Sequence, residues 1–307
     1  MGKRKANGDD NQPTKDKMEI DGEDSGTDDD DTNMLDVDFE FMDPNPAVDF
    51  HGIKNLLRQL FDSDNQLFDL SELADLILSQ PGMGSTVKCD GEESDPYALL
   101  TALNLNHHRT KPIILNLTRY ILSRAKASGN SGLCQLEKLL AADSKAQVAL
   151  VLNERFINIP PQIIPPMYNL LVEEVDLAVK DQEPFDFTHY LIFSKTYAEV
   201  DSKLDAEDSE RPSKKGKKSA TTSQRGGKKN DDDASETFYF HPEDEIWQKH
   251  AVGFSNFDYE KEADEGASDA KRAFAEAGIQ PQGHMVLIEG KKKFHEAVKA
   301  VGEFLQG

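Results

Sequence analysis

The chain has 307 residues and a formal net charge of −22, with 57 acidic residues against 35 lysines and arginines. Nucleic-acid affinity comes largely from lysine and arginine neutralising phosphates, so this balance disfavours a direct RNA or DNA ligand. No stretch approaches the ~18 uninterrupted apolar residues of a membrane span, and the charged start Met1–Lys5 has no apolar run behind it, which leaves a soluble, non-secreted protein as the expectation.

Residues 19–40 carry eleven acidic residues and no lysine or arginine, half of the net charge. Such an arm buries too little apolar surface to offset its ordering entropy, so residues 1–36 read as disordered. It concentrates negative charge where a cationic protein would feel it, and Asp28, Asp29, Asp30 and Asp31 are its densest partner-binding candidates. The plainer alternative is that the run only keeps the chain in solution. Ser25 and Thr27 precede acidic residues at the spacing of an acidophilic kinase, and phosphorylation there would deepen the charge.

Val37, Phe39 and Phe41 alternate as a strand that stops at Asp43-Pro-Asn-Pro46. Asp49 then offers an N-cap to a helix over 51–61 whose Ile53, Leu56, Leu57, Leu60 and Phe61 share one face. A second helix starts near Ser71 and closes at Gln80-Pro-Gly82. Residues 85–90 and 97–106 predict a hairpin with a long loop, and Pro112 opens a helix through Ile113, Leu117, Tyr120 and Ile121. A shorter helix over 133–140, a buried strand over 148–153 and, after a proline block, a helix over 167–179 with Leu170, Leu171, Val175 and Val179 inward come next.

Residues 187–200 form the strongest strand by aromatic and β-branched content. A polar insert over 202–235 reads as disordered, and Phe238, Tyr239 and Phe240 resume a strand that pairs back across it. A short helix over 243–250 bears Trp247, strands follow over 251–257 and 284–288, and a final helix carries Phe294, Val298, Val301 and Leu305. The expected fold is thus one α/β (α+β) domain, residues 37–201 and 236–307, a twisted mixed and largely antiparallel sheet flanked by helices.

Catalytic signals are weak. Gln80-Pro-Gly-Met-Gly84 faintly suggests the phosphate loop of coenzyme A-dependent acetyltransferases, but such a loop follows a strand and opens a helix; here the order is reversed, and a helix C-cap accounts for it. His107 and His108 lack an orienting acid, and Asp186 with His189 lacks a nucleophile. Cys89 and Cys134 have neither motif spacing nor a His/Cys cluster, so they read as reduced, buried residues. No enzyme, cofactor or metal site is expected. Between Arg211 and Lys229 lie eight basic residues and no acidic one, and Lys214, Lys215, Lys217 and Lys218 form a cluster that a nuclear-import receptor can read. Trp247 is a partner-binding candidate, since aromatic residues anchor interfaces, with core packing as its other role. No helix face suggests an obligate dimer, so a monomer is expected.

Val37-Asp-Phe-Glu-Phe-Met-Asp-Pro, His51-Gly-Ile-Lys-Asn-Leu-Leu-Arg-Gln-Leu-Phe61, Gly84-Ser-Thr-Val-Lys88, Thr188-His-Tyr-Leu191 and Phe238-Tyr-Phe-His-Pro-Glu-Asp-Glu245 resemble the BCCIP family, whose fungal members are called Bcp, over residues 37–305. The resemblance implies a nuclear protein with a fold similar to GCN-type acetyltransferases but without a working cofactor site. For fungal members it implies a dedicated chaperone of a basic large-subunit ribosomal protein and a role in nuclear export of a lipid kinase, a phosphatidylinositol-phosphate kinase. Animal members are linked to DNA repair and cell-cycle control. The alternatives are a residual acyl-CoA-dependent acetyltransferase and a general histone or basic-protein chaperone.

Overall fold

The computed structural model describes residues 38–80, 82–199, 237–261 and 279–306. The chain builds β1 (Glu40–Met42), α1 (Phe50–Phe61), a 3-10 segment (Asp62–Leu67), α2 (Leu70–Leu78), β2 (Ser85–Lys88), β3 (Ala98–Asn104) and α3 (Pro112–Ala127). Two single turns, α4 (Ser131–Cys134) and α5 (Leu136–Leu139), lead to β4 (Val148–Arg155), α6 (Ile164–Lys180) and β5 (His189–Glu199). Then come β6 (Thr237–Tyr239), α7 (Asp244–Lys249), β7 (Gly253–Asp258), β8 (Ile279–Glu289) and α8 (Lys291–Gln306).

The strands are apolar on both faces, which places helices on both faces of the sheet. Leu99 and Leu103 of β3, Leu150 and Leu152 of β4, Leu191 and Phe193 of β5, and Met285 and Leu287 of β8 join one core with α1, α2 and α3. Their neighbours Leu100, Val151, Ile192 and Val286 join the other with α6, α7 and α8. The sheet has eight strands in the order β1-β2-β3-β4-β5-β8-β7, with β6 added to β5. Each pair is antiparallel except β4 with β5, which α6 connects and which run parallel. This is the expected mixed, mostly antiparallel sandwich.

Local chemistry departs from the sequence reading at several ends. Asp49 sits at the N-cap of α1 without capping it; its carboxylate instead holds buried Lys88 at 2.6 Å and accepts from the Asn45 N–H at 2.8 Å. Asp69, not Ser71, caps α2, accepting from the Ser71 and Glu72 N–H groups. The expected helix over 133–140 is two single turns, the first capped by Asn130. α6 begins three residues early because Pro165 and Pro166 fit the first turn, where an amide hydrogen has no helical partner. Leu170 points outward on α6, not inward.

Candidate functional site

β4 and β5 pair only from Val148↔His189 to Leu152↔Phe193. β8 covers one edge of β5 along its whole length, so β6, pairing with Thr196–Ala198, takes the edge that β4 has left. In open α/β sheets, ligands bind in crevices beyond the carboxyl ends of strands, where the strand order changes. This splay is therefore the first place to look for chemistry.

The chain fills it with its own charges. Lys195 Nζ lies 2.8 Å from Glu154 Oε2, donates to the Gln59 carbonyl at 3.0 Å and stands 4.1 Å from the Phe240 ring centroid. Arg155 clamps Glu243 with two bonds, Nη1 to Oε1 at 2.6 Å and Nη2 to Oε2 at 3.1 Å. Ser194 donates to Asp244 Oδ2 at 2.5 Å, and His241 Nε2 lies 3.6 Å from Glu154 Oε1. None of these six charged or ionisable residues is more than 5 % exposed.

Protonation follows from the pairing. Burial would raise the Glu154 carboxyl, but Lys195 and His241 outweigh it and hold it down at about 2. Burial is likewise outweighed at Glu243 by His241 and Arg155, which keep it below the usual carboxylate range. At Asp244, burial and the neighbouring Glu243 charge push the carboxyl well above that range, favouring its neutral form. The pairs tie β4 and β5 to the β6–α7 turn and to the start of α7.

The Gln80–Gly84 turn is also occupied. The Gly84 N–H donates to Glu174 Oε2 of α6 at 2.7 Å, so an incoming phosphate would meet a carboxylate where it needs a donor. Gly84 has φ +100°, and a Cβ there would lie 2.5 Å from the Leu100 carbonyl oxygen. Close approach to β3 therefore explains this glycine.

The other sequence candidates do not converge on one centre. Asp28–Asp31 and the Lys214, Lys215, Lys217 and Lys218 cluster lie outside the described residues. Trp247 is corrected as an interface residue: it is fully buried, stacked on Phe294 at 5.9 Å and against Tyr168 at 4.7 Å. His107 and Asp186 line an open polar cavity of about 600 Å³ with Arg109 and Glu183. His108 is held neutral near pH 7, its pKa lowered to about 4 by burial and by His107 and Lys111. His189 bonds the Thr188 hydroxyl at 2.9 Å. Cys134 is exposed and Cys89 half-buried, which corrects the expectation that both are buried. No group of metal-binding side chains occurs among the described residues.

Sequence reasoning missed the α6 surface. Leu170 and Leu177, 36 % and 58 % exposed, lie two helical turns apart with exposed Glu173 between them. From Met167 to Thr188 there are six acidic residues and one lysine. Glu174 stands near enough to Asp43 for that charge, after burial itself, to raise its carboxyl pKa. Phe39 packs on this side of the sheet, and strand alternation brings Phe41, 37 % exposed, to the same side. Apolar side chains are thus set in an acidic ridge, in which Asp176 is paired with Lys291 of α8 and Glu174 with the Gly84 N–H.

Fold and site together define an α/β sandwich on an open, mostly antiparallel sheet, its strand splay closed by internal ion pairs. Residues 34–247 match the family model described as BCCIP. The chain is 51 % identical over 274 residues to protein bcp1 of Aspergillus fumigatus, covering 89 % of each chain. It is 49 % identical over 258 residues to protein bcp1 of Schizosaccharomyces pombe, covering 84 % of this chain and 86 % of that one. The crystal structure of BCP1 from Saccharomyces cerevisiae superposes with a TM-score of 0.59 at 25 % identity, covering 92 % of this chain and 96 % of that one. The chain belongs to the BCCIP family.

Proposed function

We propose that the protein is a non-enzymatic nuclear chaperone that binds a basic large-subunit ribosomal protein and shields its RNA-binding lysines and arginines until assembly. The observation that carries this reading is the α6 ridge, where Leu170 and Leu177 stand exposed among acidic residues. Carboxylates there speed capture of a cationic partner and repel acidic ones, while the leucines set the lifetime of the complex. The filled splay fits the same reading, because the crevice beyond the strand ends is closed by the chain's own ion pairs. The Lys214–Lys218 cluster would bring the chain to the nucleus through an import receptor, and the lipid-kinase export implied by the family resemblance would use the same shuttling.

The test is association kinetics with a purified basic large-subunit ribosomal protein across a salt series. Rising salt slows association more than it speeds dissociation, and the pair Leu170→Ser and Leu177→Ser raises the dissociation rate at constant association rate. A salt-insensitive association rate overturns the electrostatic half of the proposal, and an unchanged dissociation rate in the double variant overturns the apolar half.

A further inference from the structure

On the opposite side of the sandwich one segment carries the opposite charge. From Pro96 to Leu136 the chain has no aspartate or glutamate but five basic residues, Arg109, Lys111, Arg119, Arg124 and Lys126, in a protein with 57 acidic residues among 307. α3 lies within this segment and packs on the core opposite to that of α6. Its inner face is apolar, with Ile113, Leu117, Tyr120 and Ile121 buried. Its outer face presents Leu115, Arg119, Leu122 and Lys126 at helical spacing, a strip of alternating apolar and cationic side chains. Arg124 is engaged with Glu260 at 2.6 Å, whereas Arg119 and Lys126 form no ion pair among the described residues.

Beside this strip a cavity of about 520 Å³ opens between α3 and the α4–α5 turns, floored by Leu122, Leu133 and Cys134 and flanked by Arg119 and Lys126, with Glu137 on the far lip. Arg119 and Lys126 are seven residues apart, or roughly 10 Å along the axis at ~1.5 Å per residue. A bound helix with acidic residues at i and i+7 and apolar residues at i+3 and i+4 matches this pattern: its carboxylates reach the two cations while its apolar side chains enter the groove between them. Arginine at one end also suits two-pronged recognition of a carboxylate.

We propose that the groove between α3 and the α4–α5 turns is a second docking surface, which takes an acidic amphipathic helix from a partner protein. The two faces of the sheet then recognise ligands of opposite charge, so one chain bridges a basic cargo and an acidic partner.

The experiment is fluorescence anisotropy of the full chain with a labelled helical peptide about four turns long, bearing Glu at i and i+7 and Leu at i+3 and i+4. The peptide binds, and R119E with K126E weakens it at least tenfold, while R119Q with K126Q weakens it less. Far-UV circular dichroism and the buried Trp247 emission report that these exposed substitutions leave the fold intact. Replacing Lys214, Lys215, Lys217 and Lys218 with alanine leaves the affinity within about twofold. The proposal is overturned if the charge reversals have no effect, or if the lysine-loop variant alone abolishes binding. It is equally overturned if a peptide with Ser in place of Leu, or a single-stranded RNA of equal charge, binds as tightly.

Discussion

Replacing Arg155 with methionine keeps much of the side-chain length but removes both bonds to a carboxylate that has no exposed surface. In the wild type, Glu243 receives Nη1 and Nη2 of Arg155 at 2.6 and 3.1 Å, with the Asp244 carboxyl next in sequence. Without the guanidinium, Glu243 must stay charged and unpaired in the core or take up a proton. Breaking one partner of a buried pair costs about 3–5 kcal/mol, and with a urea slope of about 3 kcal/mol/M the unfolding midpoint falls by more than about 1 M at pH 7. The pH dependence has a definite sign. The Glu243 pKa is lowered in the fold, so its contribution is present above the unfolded carboxyl value of about 4.3 and is lost as pH falls through the folded value. In Arg155→Met the guanidinium no longer offsets burial, so Glu243 takes up a proton as pH falls, and the deficit of the variant is largest at neutral pH and narrows towards pH 4. Adding Glu243→Gln recovers a large part of the loss, because a neutral amide needs no counter-charge. Urea unfolding followed by far-UV circular dichroism at pH 7 and pH 4 measures all three. A loss under about 1 kcal/mol for Arg155→Met, or a double variant as unstable as the two singles added, would refute the buried-pair reasoning.

Other outcomes follow from the same geometry. His284 is buried with its pKa lowered to about 4, and its neutral ring fits a donated bond to Asn256 Oδ1 at 2.6 Å and an accepted one from Gln248 Nε2 at 3.2 Å. Its stabilisation is complete above the unfolded histidine value of about 6.5 and is lost as pH falls towards 4, so His284→Gln makes stability less pH-dependent across that window, by up to about 3 kcal/mol; an unchanged slope between pH 6.5 and 4 contradicts this. Gly132→Ala places a Cβ 2.0 Å from the Val252 carbonyl oxygen, which forces α4 from β7 at a cost of about 1–3 kcal/mol; a melting temperature within one degree of wild type would show that the two elements separate freely. Acetyl-coenzyme A at millimolar concentration leaves the melting temperature unchanged if Glu174 already holds the Gly84 N–H, whereas a ligand at a hundredfold its dissociation constant adds about 2.7 kcal/mol; a clear upward shift would revive the acetyltransferase reading.

Elements with strong periodicity were legible in the sequence. α1, α3 and α8 show apolar stripes, and the aromatic content of 187–193 marks β5, which pairs with β4, β6 and β8 at the heart of the sheet and its splay. The ion cluster was not legible, because Glu154 and Arg155 find partners forty to ninety residues away and nothing local announces them. One signal was present: charged residues ending the apolar run of β4, and Lys195 interrupting that of β5, are costly in a two-sided sheet unless paired. Trp247 could not be placed, since an aromatic residue on a six-residue helix fits core or surface equally, and its stack on Phe294 depends on a helix nearly fifty residues later. The acidic ridge was hidden for a related reason. Leu170 fits the apolar rhythm of α6, and only the tertiary structure turns it outward.

The central claim is that a folded acidic face, and not the N-terminal charge run alone, holds a basic ribosomal protein. Its most direct measurement is affinity capture from nuclear extract with the tagged chain, compared with a version lacking residues 1–36 and one carrying Leu170→Ser with Leu177→Ser, followed by mass spectrometry of what co-purifies. One large-subunit ribosomal protein retained by the full and truncated chains and depleted by the double substitution is the predicted result. A broad set of basic proteins, lost on truncation and indifferent to the α6 leucines, would contradict the account and leave a charge-driven buffer in its place.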